Sequence, residues 1–136
     1  MLKLGRTKKG NGGKTILIVD DDPAIREALE HRLAGCPWHV LTAADGQEAL
    51  EIAARRKPDL VLLDISMPRV NGHAVLERLR EDTQMAGVDV IMVTASQEVA
   101  DVTKAASYNV RDYVIKPFYP GDVVSRIEHV LGTSTH

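Results

Sequence analysis

Five times along the chain a short apolar, largely β-branched run is followed by an amphipathic stretch, and this alternation limits the possible folds more than any single motif does. The first run, Thr15-Ile-Leu-Ile-Val-Asp20, is apolar on both faces, as are residues 59–64 and 88–93. Strands of that kind belong to parallel sheets covered on both sides. Residues 38–42 and 110–115 read as the remaining two strands. Strands alternating with helices imply an open, doubly wound α/β domain, which gathers its site at the carboxyl ends of its strands.

The helix signals fit the same scheme. Asp22-Pro23 is a strong start: the aspartate is an N-cap acceptor, and proline at the first helical position loses nothing by lacking an N–H. Ile25, Leu29 and Leu33 then form one stripe, and Gly35 and Pro37 end the helix after about residue 34. The turn Ala44-Asp45-Gly46 opens a second helix that Pro58 stops, and a third turns Val75, Leu76 and Leu79 inward. Residues 96–108 and 120–131 read as the last two. Asn109 stands where a helix end can require a left-handed residue, a conformation asparagine tolerates.

A length of 136 residues suits one compact domain. The expected organisation is a flexible basic tail over 1–14, a folded domain over 15–132 and a short tail over 133–136. No apolar run approaches the ~20 residues of a membrane span, and no signal peptide is evident, so a cytoplasmic protein is expected. The single cysteine, Cys36, supports neither an internal disulfide nor a zinc site and reads as a small buried apolar residue. Residues 1–14 hold five basic residues and no acidic one, whereas the remainder sets twelve basic against nineteen acidic residues. That acidic body argues against direct nucleic-acid binding. Gly10-Asn-Gly-Gly-Lys-Thr15 is not a phosphate-binding loop, because position 8 is lysine and the segment precedes a strand.

The carboxyl ends of the strands carry Asp20-Asp21-Asp22, Asp64, Thr94-Ala95 and Lys116-Pro117. Gathering so many carboxylates is costly unless a cation offsets them. With only oxygen ligands at hand, magnesium is expected, and manganese can substitute. Such an ion with the Lys116 ammonium balances the charges of Asp20, Asp21 and Asp64. Asp64 could then attack a phosphoryl donor and become an aspartyl phosphate, with Thr94 donating to the phosphoryl oxygens and Ala95 leaving them room. An X-Pro bond tolerates the cis form, which at Lys116-Pro117 would aim the lysine inward.

Ile16-Leu-Ile-Val-Asp-Asp-Asp-Pro23, Leu62-Leu-Asp-Ile-Ser-Met-Pro68 with Gly72, Thr94-Ala95, and Asp112-Tyr113 running to Lys116-Pro117-Phe118 resemble, in order, the signature segments of the receiver domains of two-component response regulators. The resemblance covers residues 15–131, and the spacings of 30 from Asp64 to Thr94 and 22 from Thr94 to Lys116 fit it. It implies a flavodoxin-like (βα)5 fold with strand order 2-1-3-4-5 and Asp64 as phosphoacceptor. Asp21 and Asp64 would bind magnesium directly, Asp20 through water and Ser66 through its backbone carbonyl, while Thr94 and Lys116 would hold the phosphoryl oxygens. The implied donor is a histidine kinase, a phosphotransfer protein or a small acyl phosphate. Thr94 would move with Tyr113 as a switch, reshaping the face of the fourth helix, fifth strand and fifth helix toward a downstream effector. Homodimerisation through that face, involving Glu98, Asp101, Lys104, Arg111 or Asp112, is a further implied outcome.

On this reading the protein is a signalling module, not an enzyme acting on an external substrate. Its length leaves no room for an output domain, so it is expected to be a stand-alone receiver or part of a longer protein. Asp20-x-Asp22 also fits a phosphatase of the haloacid dehalogenase type, with Asp20 as nucleophile and Asp22 as acid–base. Pro23, the lack of a later acidic pair and the lack of a cap segment argue against it. A receiver-like module that binds its partner without phosphorylation is the other alternative, and an acidic first loop disfavours a flavin phosphate. His31, His39, His73, His129 and His136 show no metal-ligand pairing and are expected at the surface or partly packed.

Overall fold

In a computed structural model that describes residues 13–132, the chain runs β1 (Thr15–Val19), α1 (Pro23–Leu33), β2 (His39–Ala43), α2 (Gly46–Arg56), β3 (Leu60–Leu63), α3 (Gly72–Glu81), β4 (Asp89–Thr94), α4 (Val99–Ser107), β5 (Asp112–Ile115) and α5 (Pro120–Leu131). The strands form one parallel sheet in the order β2-β1-β3-β4-β5. This is the doubly wound α/β architecture expected, with the strand order that the family resemblance implied. Of the expected tails at 1–14 and 133–136, residues 1–12 and 133–136 lie outside the described residues, and the Lys14 carbonyl accepts from the His39 amide at 2.8 Å.

Side chains alternate along each strand, so the sheet divides the core in two. Leu17, Val19, Val61, Leu63, Val90 and Met92 pack on one face with Val75, Leu76 and Leu79 of α3. Ile16, Ile18, Leu60, Leu62, Ile91 and Val93 pack on the other with Leu29 and Leu33 of α1 and with Val123, Val124 and Ile127 of α5. Three helices are capped by the residues that precede them. Asp22 accepts from the Ala24 amide at 2.9 Å, Asp45 from Glu48 at 2.8 Å and Asn71 from Ala74 at 3.0 Å.

Some details differ from the sequence reading. α4 begins at Val99 rather than near Ser96, and its N-cap, Glu98, makes no side-chain capping bond. Ser96 is instead held by bonds to its neighbours, described below, that keep it out of the helix. β5 begins at Asp112 rather than Val110, because Asn109 at the preceding turn is left-handed, with φ 62°. Cys36 is half-buried at the edge of the second core layer, and burial pushes its thiol pKa up. His73 is buried, whereas His31, His39 and His129 are exposed.

Candidate functional site at the carboxyl edge of the sheet

Four strand ends build the site. β1 delivers Asp20 and Asp21, β3 delivers Asp64, β4 ends on Thr94, and β5 runs into Lys116. Parallel register places them together: Val19 pairs with Leu63, Leu63 with Met92, and Thr94 with Ile115. The backbone ties the edge further, since the Asp64 amide donates to the Val19 carbonyl at 3.0 Å and the Lys116 amide to the Thr94 carbonyl at 2.9 Å. The Lys116–Pro117 peptide is cis.

Asp20 and Asp64 are only 2% and 4% exposed, an unusual depth for carboxylates. Lys116 Nζ reaches both, at 2.7 Å from Asp20 Oδ2 and 3.3 Å from Asp64 Oδ2. The other oxygens take backbone donors, from Asp22 N to Asp20 Oδ1 at 2.9 Å and from Ser66 N to Asp64 Oδ1 at 3.3 Å. Arg26 Nη1 closes the loop from α1 by donating to the Asp20 carbonyl at 2.7 Å.

Carboxylate oxygens of Asp20, Asp21 and Asp64 lie within 4.8 Å of one another, close enough to share one cation, with Asp21 exposed between two buried partners. Burial raises the Asp20 pKa above the ordinary carboxylate value, and the Asp64 charge adds to the rise, while the Lys116 hydrogen bond opposes it. Burial also disfavours the Lys116 ammonium, but the hydrogen bond to Asp20 and the charge of Asp64 outweigh it and hold its pKa above normal. One ammonium thus faces two buried carboxylates and a third at the rim. An all-oxygen, electron-rich cluster with unbalanced negative charge fits a hard divalent cation.

Thr94 is fully buried at the end of β4, and the Ser96 amide lies 3.4 Å from its Oγ1. Tyr113 is half-buried against the first core layer, its hydroxyl donating to the Ser96 carbonyl at 3.0 Å. Ser66 is exposed beside Asp64, and Ala95 is exposed beside Thr94. Asp20, Asp21, Asp64, Thr94 and Lys116 therefore meet at this edge, with Ser66 following Asp64 and Tyr113 bonded to the loop after Thr94, whereas Arg111 and Asp112 lie at the opposite end of β5. The sequence reading missed the neighbouring set of His73, Asp101 and Ser96. His73 Nε2 lies 3.1 Å from Asp101 Oδ1, and Ser96 Oγ donates to Asp101 Oδ2 at 2.6 Å. No spacing rule links residues on two different helices, so only the fold reveals that set.

The family model described as the response regulator receiver domain matches residues 16–128. A probable transcriptional regulator, ycf27 of Guillardia theta, is 43% identical over 116 residues, which are 85% of this chain and 44% of that protein. The chain thus spans about half the length of the curated relatives it matches. Among solved structures, the chemotaxis protein CheY4 of Vibrio cholerae superimposes with a TM-score of 0.82 at 27% identity, covering 87% of this chain and 98% of that one. The CheX–CheY–BeF3–Mg complex of Borrelia burgdorferi also gives a TM-score of 0.82 at 27% identity, covering 89% and 92%.

Proposed function

The chain belongs to the response regulator receiver family, and from that premise we propose that it accepts a phosphoryl group on Asp64 from a phosphohistidine donor in a magnesium-dependent step. The observation that carries this reading is the buried Asp64 carboxylate, bonded to Lys116 and sharing a cation-sized cluster with Asp20 and Asp21. Phosphoryl transfer is mostly positioning and charge neutralisation, which this edge supplies.

Asp20, Asp21 and Asp64 would hold the ion with the Ser66 carbonyl, and manganese would serve in its place. When bound, the ion supplies positive charge to the phosphoryl oxygens. An Asp64 oxygen forms the new bond to phosphorus while the donor's P–N bond, or P–O bond in an acyl phosphate, breaks and its electron pair leaves with the donor. Lys116 offers its ammonium to a phosphoryl oxygen, and Thr94 its hydroxyl. The protein then catalyses only its own phosphorylation and dephosphorylation and works in the cytoplasm as a module in a phosphorelay. Among the described residues, no helix is long and apolar enough to cross a membrane.

Thr94 and Tyr113 would carry the change to the face of α4, β5 and α5. Val99 and Val102 of α4 and Tyr119 at the start of α5 are exposed, Val99 and Tyr119 at 80% and 84%. Isolated exposed apolar residues are common, but these belong to two of the elements through which an effector protein, or a second copy of the chain, would bind. The acidic folded domain argues against direct nucleic-acid binding by this region.

Intact mass after incubation with acetyl phosphate tests the reading. One added phosphoryl group that requires both magnesium and Asp64, and is absent from Asp64→Asn, is the expected result. No gain from acetyl phosphate or from a phosphorylated kinase, with the protein folded and magnesium bound, would overturn it in favour of phosphate-independent binding. Sedimentation velocity with beryllofluoride bound tests pairing of two copies, and a strictly monomeric boundary would remove that part of the proposal.

A further inference from the structure

Among the described helices α4 buries the fewest residues. Only Ala105 among its residues is buried, and its N-terminus lacks a side-chain cap. Its first turn is nevertheless tied down by polar bonds, through Asp101, to two other places. Asp101 Oδ1 faces His73 Nε2 at 3.1 Å, and Asp101 Oδ2 accepts from Ser96 Oγ at 2.6 Å.

The His73 end of this chain is a fixed point. His73 is the second residue of α3, and the Gly72 amide before it donates to the Ile65 carbonyl at 2.9 Å, fastening the helix start to the loop that carries Asp64. The His73 side chain is 9% exposed. Its Nδ1 is buried without a partner. In the neutral ring a bare lone pair is less costly there than a stranded N–H, so the proton belongs on Nε2, where it is donated to Asp101.

The Ser96 end touches both switch residues. Its carbonyl receives the Tyr113 hydroxyl at 3.0 Å and its amide lies 3.4 Å from Thr94 Oγ1, while its own hydroxyl is taken by Asp101. Holding Ser96 therefore holds the acceptor that keeps Tyr113 turned in.

We propose that His73, Asp101 and Ser96 are positioning residues that anchor the loop after β4 to α3 and so bias the domain toward the arrangement in which Tyr113 is bonded to Ser96. The consequence for signalling rests on the switch reading above, whereas the positioning itself does not. Bonds present in one arrangement and absent in the other shift the equilibrium between them, and only by that difference.

The test uses the full chain labelled at its tyrosine ring carbons, with the Tyr113 resonance assigned from Tyr113→Phe. His73→Phe keeps a ring of similar bulk, Asp101→Ala removes the bridge, and Ser96→Ala removes the hydroxyl alone at a half-buried loop position that need not disturb folding. All three are expected to move the Tyr113 resonance toward that of an exposed tyrosine, and Ser96→Thr, which keeps the hydroxyl, to restore it. With magnesium present, the three variants should bind beryllofluoride about 3- to 10-fold more weakly, in the range expected when a residue of a coupling network is removed. A Tyr113 resonance unmoved in all three overturns the proposal. A resonance that moves in a protein whose wild type gains no phosphoryl group from acetyl phosphate or a phosphorylated kinase supports the positioning role and refutes the phosphoacceptor reading instead.

Discussion

Asp64 depends on a glycine eight residues later. A Cβ on Gly72 would lie 2.3 Å from the Asp64 carbonyl oxygen and 2.8 Å from the Ile65 Cα, both backbone atoms that cannot swing aside. Gly72→Ala is expected to lower stability by about 3 kcal/mol, the upper end of ordinary overpacking, and to slow phosphorylation of whatever remains folded. Urea denaturation with the acetyl phosphate mass assay checks both, and a variant with wild-type midpoint and uptake would show that the loop can yield. Tyr113 supplies a second prediction at this scale. Burial, reinforced by the charges of Asp101 and Asp64, pushes its phenol pKa above the usual value. The unfolded chain ionises this group first, so its contribution to stability is intact below the ordinary phenol range and is lost as pH rises through and beyond it. Phenolate absorbance should lose a component that titrates above the usual phenol range in Tyr113→Phe, and a variant that keeps that component would contradict the assignment.

The same residues show what a sequence can disclose. Asp22 before Pro23 and Asn109 after α4 were legible because capping and left-handed geometry depend on residue type and local order. His73 was not, because its role is set by Asp101, which lies on the next helix. Cys36 lies half-buried at the rim of a layer, where a small apolar residue can sit on either side of the boundary.

Among the elements, the amino edge of the sheet is braced by one side chain where the carboxyl edge is built from several. Arg80, in the last turn of α3, donates from Nε to the Tyr108 carbonyl at 2.8 Å and from Nη1 to the carbonyls of Ala86 at 2.9 Å and Val88 at 2.7 Å. It thus joins the connection entering β4 to the one leaving α4. No carboxylate shares this work directly, and burial lowers the arginine pKa, with the Asp89 charge opposing. Arg80→Met keeps much of the packing and strands the carbonyls, each at a cost of about 1–3 kcal/mol when buried. Solvent reaches part of this cluster, so a net loss of about 2 kcal/mol in urea denaturation is expected. Phosphoryl uptake should persist in the folded fraction, because Asp64 lies at the opposite edge. Loss of uptake without loss of stability would mean that the two edges are coupled. This brace was invisible to hydrophobic periodicity, which located α3 through Val75, Leu76 and Leu79 but says nothing of an arginine that caps its neighbours' loops. The late start of α4 has a related cause, since one of the bonds that hold Ser96 comes from Tyr113 on β5, a tertiary partner.

For the molecule as a whole, the alternation of runs was enough to predict a parallel, doubly covered sheet, because strands such as 60–63 are buried throughout. It did not order the strands; that came from the resemblance of the motifs and is seen in the pairing of β1 with both β2 and β3. The order matters because it sets β1 beside β3 and so brings Asp20 and Asp21 to Asp64, a concentration of like charge that works against folding. Functional clusters of this kind commonly trade stability for activity. A bound cation repays that cost: at about 100 times its Kd, a ligand specific to the folded state adds about 2.7 kcal/mol, or roughly 10 °C in thermal midpoint for a domain of this size. Asp21, exposed and clear of the Lys116 bonds, isolates the effect. Asp21→Asn removes one repelling charge, so it should melt at or above the wild-type temperature without magnesium and gain markedly less when magnesium is added. Calorimetry with chelator and with magnesium measures both. A variant that melts lower in chelator and keeps the full magnesium increment would show that Asp21 is neither a source of repulsion nor a ligand, leaving Asp20, Asp64 and the Ser66 carbonyl to hold the ion.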